Sequence, residues 1–98
     1  MKKPSATYSL ESIKKLIREG QSIITTSALM GAAELEFIDE DIHSAILLLS
    51  DEDFYKTMAS KKRKSTYQDV YRKEYKNVLL YIKLQIVEQA IVISFKEK

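Results

Sequence analysis

A chain of 98 residues, 45% hydrophobic and 31% charged, is long enough for one core and too short to require two, so residues 1–98 are expected to form a single domain. It has no cysteine and one histidine, which excludes a disulfide framework, a thiolate metal site and a histidine cluster; neither a metal nor a cofactor is expected. The formal net charge of +2 hides a polarity along the chain: eight acids and no lysine or arginine lie between Glu34 and Asp53, then eight bases against two acids from Lys56 to Lys76.

Ser9 suits a helix N-cap, and Leu10, Ile13, Leu16 and Ile17 recur at helical spacing until Gly20, predicting a helix over about residues 10–19. Its outer face carries Glu11, Lys14, Lys15 and Arg18, a solvated surface whose three cations could also assist a polyanion site. Ser22 to Thr25 fits a small strand. Thr25 or Thr26 then caps a second helix through Ala28, Leu29, Ala32, Ala33 and Leu35. A third helix opens at Asp39 with an inward stripe of Ile42, Ala45, Ile46 and Leu49. His43 lies one position off that stripe and reads as a structural histidine. Ser50 and Asp53 resemble a capping box, so one or two further helical turns are expected from Asp51 to Ala59, with Phe54 and Met58 inward and Lys56 on the same element. The longest apolar run, Ala45 to Leu49, is far short of the roughly 20 residues of a membrane span, and no signal-type apolar block follows Met1; a soluble, cytoplasmic protein with no membrane partner is expected.

After the cationic run Lys61-Lys62-Arg63-Lys64 the period changes to two. Thr66 to Tyr75, Val78 to Glu88 and Ala90 to Lys96 read as strands, and the short connections Lys76-Asn77 and Glu88-Gln89 allow only hairpins, predicting a three-stranded antiparallel meander. The fold class is therefore α+β, with N-terminal helices packed on one face of a C-terminal antiparallel sheet. Leu80, Ile82 and Leu84 would face that core, and Tyr81, Lys83 and Gln85 a polar platform. By the same alternation Gln68, Val70 and Arg72 share one face, while Tyr67, Asp69 and Tyr71 share the other, where Asp69 and Tyr71 are expected as core-side support. Five of the six tyrosines fall in or just after the basic half, and cations interleaved with aromatics suit a single-stranded nucleic acid, although a solvated basic face with core tyrosines fits equally well.

Phe54-Tyr55-Lys56-Thr57-Met58, Gln68-Asp69-Val70-Tyr71-Arg72, Tyr81-Ile82-Lys83 and Ser94-Phe95-Lys96-Glu97-Lys98 together resemble the MqsR family, the motility quorum-sensing regulator toxins of bacterial toxin–antitoxin pairs. The likeness runs over nearly the whole chain, including Lys14-Lys15-Leu16 and Thr25-Thr26-Ser27-Ala28-Leu29. It implies a RelE-like fold and a ribosome-independent mRNA interferase that cuts single-stranded mRNA at short GC-containing triplets of GCU type. It also implies an MqsA-type antitoxin with a zinc-binding part and a helix-turn-helix part, through which alone the chain would meet operator DNA. The family's functional positions match Lys56, Gln68 and Tyr81. Arg72 joins them as a catalytic candidate, and Tyr55, Met58, Lys83 and Lys96 are candidates for RNA contact. Two departures stand out: Tyr67 where a tryptophan is expected, and a more basic loop at Lys61 to Lys64.

Metal-free RNA cleavage uses the substrate 2′-hydroxyl as nucleophile, so a base, a donor to the leaving 5′-oxygen and cations for the phosphoryl oxygens are needed. Lys56 is expected as base or charge stabiliser, Arg72 as a bidentate clamp, Tyr81 as proton donor or phosphate ligand, and Gln68 as a group orienting phosphate or ribose. A neighbouring cation such as Arg72, or burial, would lower the lysine pKa toward the working range. Each residue has a plainer reading: Lys56 as the helical ion-pair partner of Glu52, Gln68 and Arg72 as exposed strand positions, Tyr81 as a rim aromatic, Met58 as core. Two other functions compete. One is a catalytically weak or inactive module that modulates an antitoxin's DNA binding; the other is a nonspecific nucleic-acid binder.

Overall fold

The computed structural model describes residues 6–59, 67–87 and 90–97, the last stretch for its backbone. Three helices, α1 (Leu10–Arg18), α2 (Thr26–Glu34) and α3 (Asp39–Leu47), cover one face of a five-stranded sheet made of β1 (Ser22–Ile24), β2 (Phe54–Ala59), β3 (Tyr67–Tyr75), β4 (Val78–Val87) and β5 (Ala90–Glu97) in the order β1-β5-β4-β3-β2. No described helix is long and apolar enough to cross a membrane. The connection at Glu88-Gln89 and the basic run Lys61 to Lys64 lie outside the described residues.

The helix ends follow from local chemistry. Ser9 Oγ accepts from Ser12 N at 3.1 Å, and Thr25 Oγ1 from Ala28 N at 3.1 Å, so each cap satisfies a free donor of the first turn. Gly20 closes α1 at φ 75°, with Gln21 N donating to Leu16 O at 2.8 Å, a bond pattern that needs a left-handed residue. Ile13, Ile17, Ala28, Ala32, Ile42, Ala45, Ile46 and Leu49 form the helical half of the core, against Tyr71, Leu80, Ile82 and Leu84 of the sheet. The expected alternation of β4 thus sorts correctly.

The antiparallel meander of β3, β4 and β5 is present, and two further strands flank it. β1 pairs with β5 in parallel, Ile23 opposite Val92, a nonlocal pairing that a three-residue stretch does not advertise. The second addition is a correction. The predicted helix from Asp51 to Ala59 is one 3-10 turn, Asp51–Asp53, followed by the edge strand β2, antiparallel to β3. The Ser50 and Asp53 bonds do form, at 2.9 Å from Ser50 N to Asp53 Oδ2 and 3.0 Å from Asp53 N to Ser50 O. They start a turn that Phe54, Tyr55 and Thr57, all strand-favouring residues, do not continue. The strand pattern was hidden because Phe54 pairs with Tyr71 and Lys56 with Val70, leaving Tyr55 as the extra residue of a β-bulge that breaks the two-residue period.

Strand alternation also divides the basic segment between two faces. Lys73 turns to the helical side and meets Asp53 at 3.6 Å; Lys76 meets Asp41 at 2.8 Å. Lys76 and Asn77 take φ of 49° and 65°, the left-handed pair of a two-residue hairpin, and Tyr75 donates its hydroxyl to the same Asp41 at 3.0 Å. The Lys76 ammonium, with the Ile38 N–H, holds the Asp41 carboxyl below its ordinary value. Lys14, expected on a solvated face, is half-buried and donates to Leu49 O at 2.6 Å. His43 is half-buried, its Nε2 3.0 Å from Ser22 Oγ, in keeping with a structural role.

Tyr71 is 1% exposed, edge-on to Phe54 with ring centroids 5.6 Å apart. Burial, with the Asp69 and Asp51 charges adding, pushes its phenol from 10.0 up to about 12. Below pH 10 the phenol is neutral in both states; between 10 and about 12 only the unfolded chain ionises, so stability is lost as pH rises through that window. The loss attributable to this group is on the order of 2 kcal/mol. Alkaline unfolding followed by circular dichroism should show a steeper stability loss above pH 10 for the native chain than for Tyr71→Phe, each measured against its own stability at pH 8.

Candidate nucleic-acid interface

The face of the sheet away from the helices gathers residues from three strands. In the register Arg72 stands opposite Tyr81, Val70 between Lys56 and Lys83, and Gln68 beside Met58, so the expected platform exists and β2 extends it. The bulge is what brings Lys56 there. With one extra residue at Tyr55, the consecutive side chains Tyr55 and Lys56 both join this face, while Phe54 and Thr57 stay on the helical side.

Tyr55, 40% exposed, is the centre of the group. Its ring stacks on Tyr81 with centroids 5.9 Å apart and planes 13° from parallel. The Arg72 guanidinium carbon lies 4.1 Å from the Tyr55 centroid, and Lys56 Nζ 5.3 Å from it. Two cations and two aromatic rings therefore share one surface, with both cations exposed. A ring flanked by cations holds a guanidinium in a defined plane and presents positive charge to an anion approaching the face.

Beside this group, Gln68 is half-buried and donates from Nε2 to Gln85 Oε1 at 3.4 Å. Val70, 2% exposed, and Gln85, 5% exposed, form the floor. Met58 and Lys83 are half-buried around it, so Met58 belongs to the platform side and not to the inner face of a helix. Lys96 takes the β5 position opposite Tyr81. The fold thus brings together Lys56, Arg72, Tyr81 and Tyr55 directly and sets Gln68, Met58 and Lys83 next to them. Gln85 belongs to this face by its alternation with Tyr81 and Lys83, while its contact with Gln68 joins two strands and leaves no mark on that alternation.

Fewer tyrosines reach the platform than composition suggests. Tyr71 and Tyr75 belong to the helical side, and Tyr67, 46% exposed, shares the side of Asp69. Tyr55 and Tyr81 are what the platform keeps. Among the described residues no three histidine, aspartate or glutamate side chains gather as a metal ligand set.

Helices on one face of a mostly antiparallel sheet, with cations and stacked rings on the other, define a small α+β protein with an open cationic and aromatic face. The sequence profile of the family described as "Motility quorum-sensing regulator, toxin of MqsA" matches residues 5–97. The mRNA interferase toxin MqsR of Escherichia coli (strain K12) is 36% identical over 98 residues, covering all of both chains. The chain belongs to this toxin family.

Proposed function

We propose that residues 1–98 act as one toxin domain, a cytoplasmic, ribosome-independent mRNA interferase that cuts single-stranded mRNA at short GC-containing triplets and arrests growth. An MqsA-type antitoxin neutralises it. The observation that carries this reading is the clustering of Lys56 and Arg72 around the Tyr55–Tyr81 stack on the open face of the sheet, in a chain of this family.

The reaction needs no group the chain lacks. The substrate 2′-oxygen attacks the adjacent phosphorus as its proton passes to the Lys56 amine, the P–O5′ bond breaks, and the departing 5′-oxygen takes up a proton from the Tyr81 hydroxyl. A 2′,3′-cyclic phosphate and a 5′-hydroxyl result. Arg72, joined by Lys56 once it has taken up that proton, stabilises the charge that grows on the phosphoryl oxygens. Tyr81, across the strand pair from Arg72, supplies the hydroxyl that donates to phosphate or leaving oxygen. Gln68 orients the ribose or phosphate, and Tyr55, Met58, Lys83 and Lys96 contact the flanking nucleotides by stacking and charge.

Purified protein incubated with unstructured RNA in excess chelator should cut it, and Lys56→Ala, Gln68→Ala and Tyr81→Phe should each lower the rate by about ten- to a hundredfold. Cleavage abolished by chelator would contradict the metal-independent reaction; three undiminished variants would remove the residue assignment. Expression of the chain alone should arrest growth and co-expression of its antitoxin restore it, whereas harmless expression of folded protein points to a binding module.

A further inference from the structure

A short strap from the N-terminal segment crosses beneath the platform, and its bonds reach three residues that surround Gln68: Asp69, Tyr67 and Thr57. Thr7 N donates to Asp69 Oδ1 at 3.0 Å and Tyr8 N to Asp69 Oδ2 at 2.8 Å, so a carboxylate that is 0% exposed anchors a segment 61 and 62 residues away in sequence. From that anchor two hydroxyls reach the strand backbone. The Tyr8 hydroxyl donates to Tyr67 O at 2.8 Å. Thr57 Oγ1 donates to Gln68 O at 3.3 Å, and Thr7 Oγ1 lies 2.9 Å from Thr57 Oγ1. A threonine hydroxyl has one proton, so with Thr57 donating to Gln68 O the Thr7 hydroxyl donates to Thr57.

The two carbonyls so held belong to the peptide units immediately before and after Gln68. Both planes that fix the Gln68 Cα–Cβ direction are therefore tied from the helical side, while the side chain itself points to the opposite, platform side. None of these bonds is needed for strand pairing, which at Tyr67 and Gln68 the backbone ladder with β2 already supplies. Nor does the strap touch the platform. What it adds is rigidity at the one position where a half-buried amide, held otherwise by a 3.4 Å contact to Gln85, has to keep its aim.

We propose that Tyr8, with Thr7 and Thr57 beside it, is a positioning residue for Gln68: the strap sets the backbone from which that amide meets the reacting nucleotide. The inference rests on the reading of this face as the RNA-cleaving site. Because Gln68 acts on the ribose or phosphate as it reacts, a loosened strap lowers kcat and leaves KM nearly unchanged.

Tyr8→Phe keeps the ring, which packs against the core, and removes only the hydroxyl. It should lower kcat for cleavage of unstructured RNA by about tenfold, with KM within about twofold. Thr57→Val, which removes the second hydroxyl without changing shape, should act in the same direction. The deciding measurement is the double-mutant cycle with Gln68→Ala: if Tyr8 acts through Gln68, Tyr8→Phe has no further effect on kcat once the amide is gone. A Tyr8→Phe loss that persists undiminished in Gln68→Ala, or a Tyr8→Phe rate equal to the native one while Gln68→Ala is impaired, overturns the positioning role and leaves the site standing. A native-like rate for Gln68→Ala itself overturns the site assignment and this inference with it.

Discussion

Replacing Arg72 with alanine is expected to lower RNA cleavage by about a hundred- to a thousandfold at saturating substrate, and Arg72→Lys is expected to restore little of it. The guanidinium sits 4.1 Å from the Tyr55 centroid and opposite Tyr81 in the strand register, so its plane is held by a ring that is itself stacked on the proposed proton donor. A fork fixed in this way meets two phosphoryl oxygens at once and gains most as their charge grows. Lysine offers a point charge on a flexible stem and cannot reproduce that geometry. An exposed arginine on an ordinary solvated strand would behave differently: its removal would change the rate by no more than the few-fold effect of one surface charge, and would do so through KM and with a salt dependence. Single-turnover rates at saturating RNA separate the cases. A rate for Arg72→Ala within about threefold of the native one would dismiss the clamp.

The same stack explains why the site was only partly legible in the sequence. Period-two alternation from Tyr67 to Lys96 sorted Gln68, Arg72, Tyr81 and Lys83 from Asp69, Tyr71, Leu80 and Ile82, because a sheet with one buried face leaves that mark on composition. Lys56 and Tyr55 were not sorted this way. They sit in a strand whose period is interrupted by a bulge, directly after a turn that carries real helix-start bonds, and each local cue there favoured the wrong element. What identified Lys56 was the resemblance of the chain to a family. The strand expected at Ser22 to Thr25 is present as β1, but its parallel pairing with β5, like the Thr7-Tyr8 strap, left no periodic signal, since both depend on partners some 60 to 70 residues away.

The fold redistributes the charge pattern. A linear count assigns the basic half of the chain to one polyanion-binding surface. In the fold, Lys73 and Lys76 are spent on Asp53 and Asp41, residues of the acidic half, and tie the helices to the sheet. Among the described residues of that half, the cations left on the platform are Lys56 and Arg72 beside one ring, and Lys83 of the next strand stands at their margin.

Asp69→Ala is expected to be the most damaging single change to stability, about 3 kcal/mol, because it removes two charge-assisted bonds and strands the Thr7 and Tyr8 N–H groups against the sheet. In a chain of this length that corresponds to a fall in Tm of roughly 12–20 °C. Asp69→Asn keeps one acceptor oxygen and turns an NH2 toward a donor, so it should lie between alanine and the native chain. Urea unfolding should show the midpoint moving with the slope unchanged, since the folded state loses contacts but not its compactness. Turnover gives the complementary test. Asp69 has no atom on the platform, so in the folded fraction at low temperature its loss can reach the reaction only through the strap, and the fall in kcat should not exceed the about tenfold expected of Tyr8→Phe. A stable Asp69→Ala variant, with a midpoint close to the native one, would mean that the strap is an ornament of the fold. An unstable one with full turnover per folded molecule would confine Asp69 to folding and separate it from the aim of Gln68.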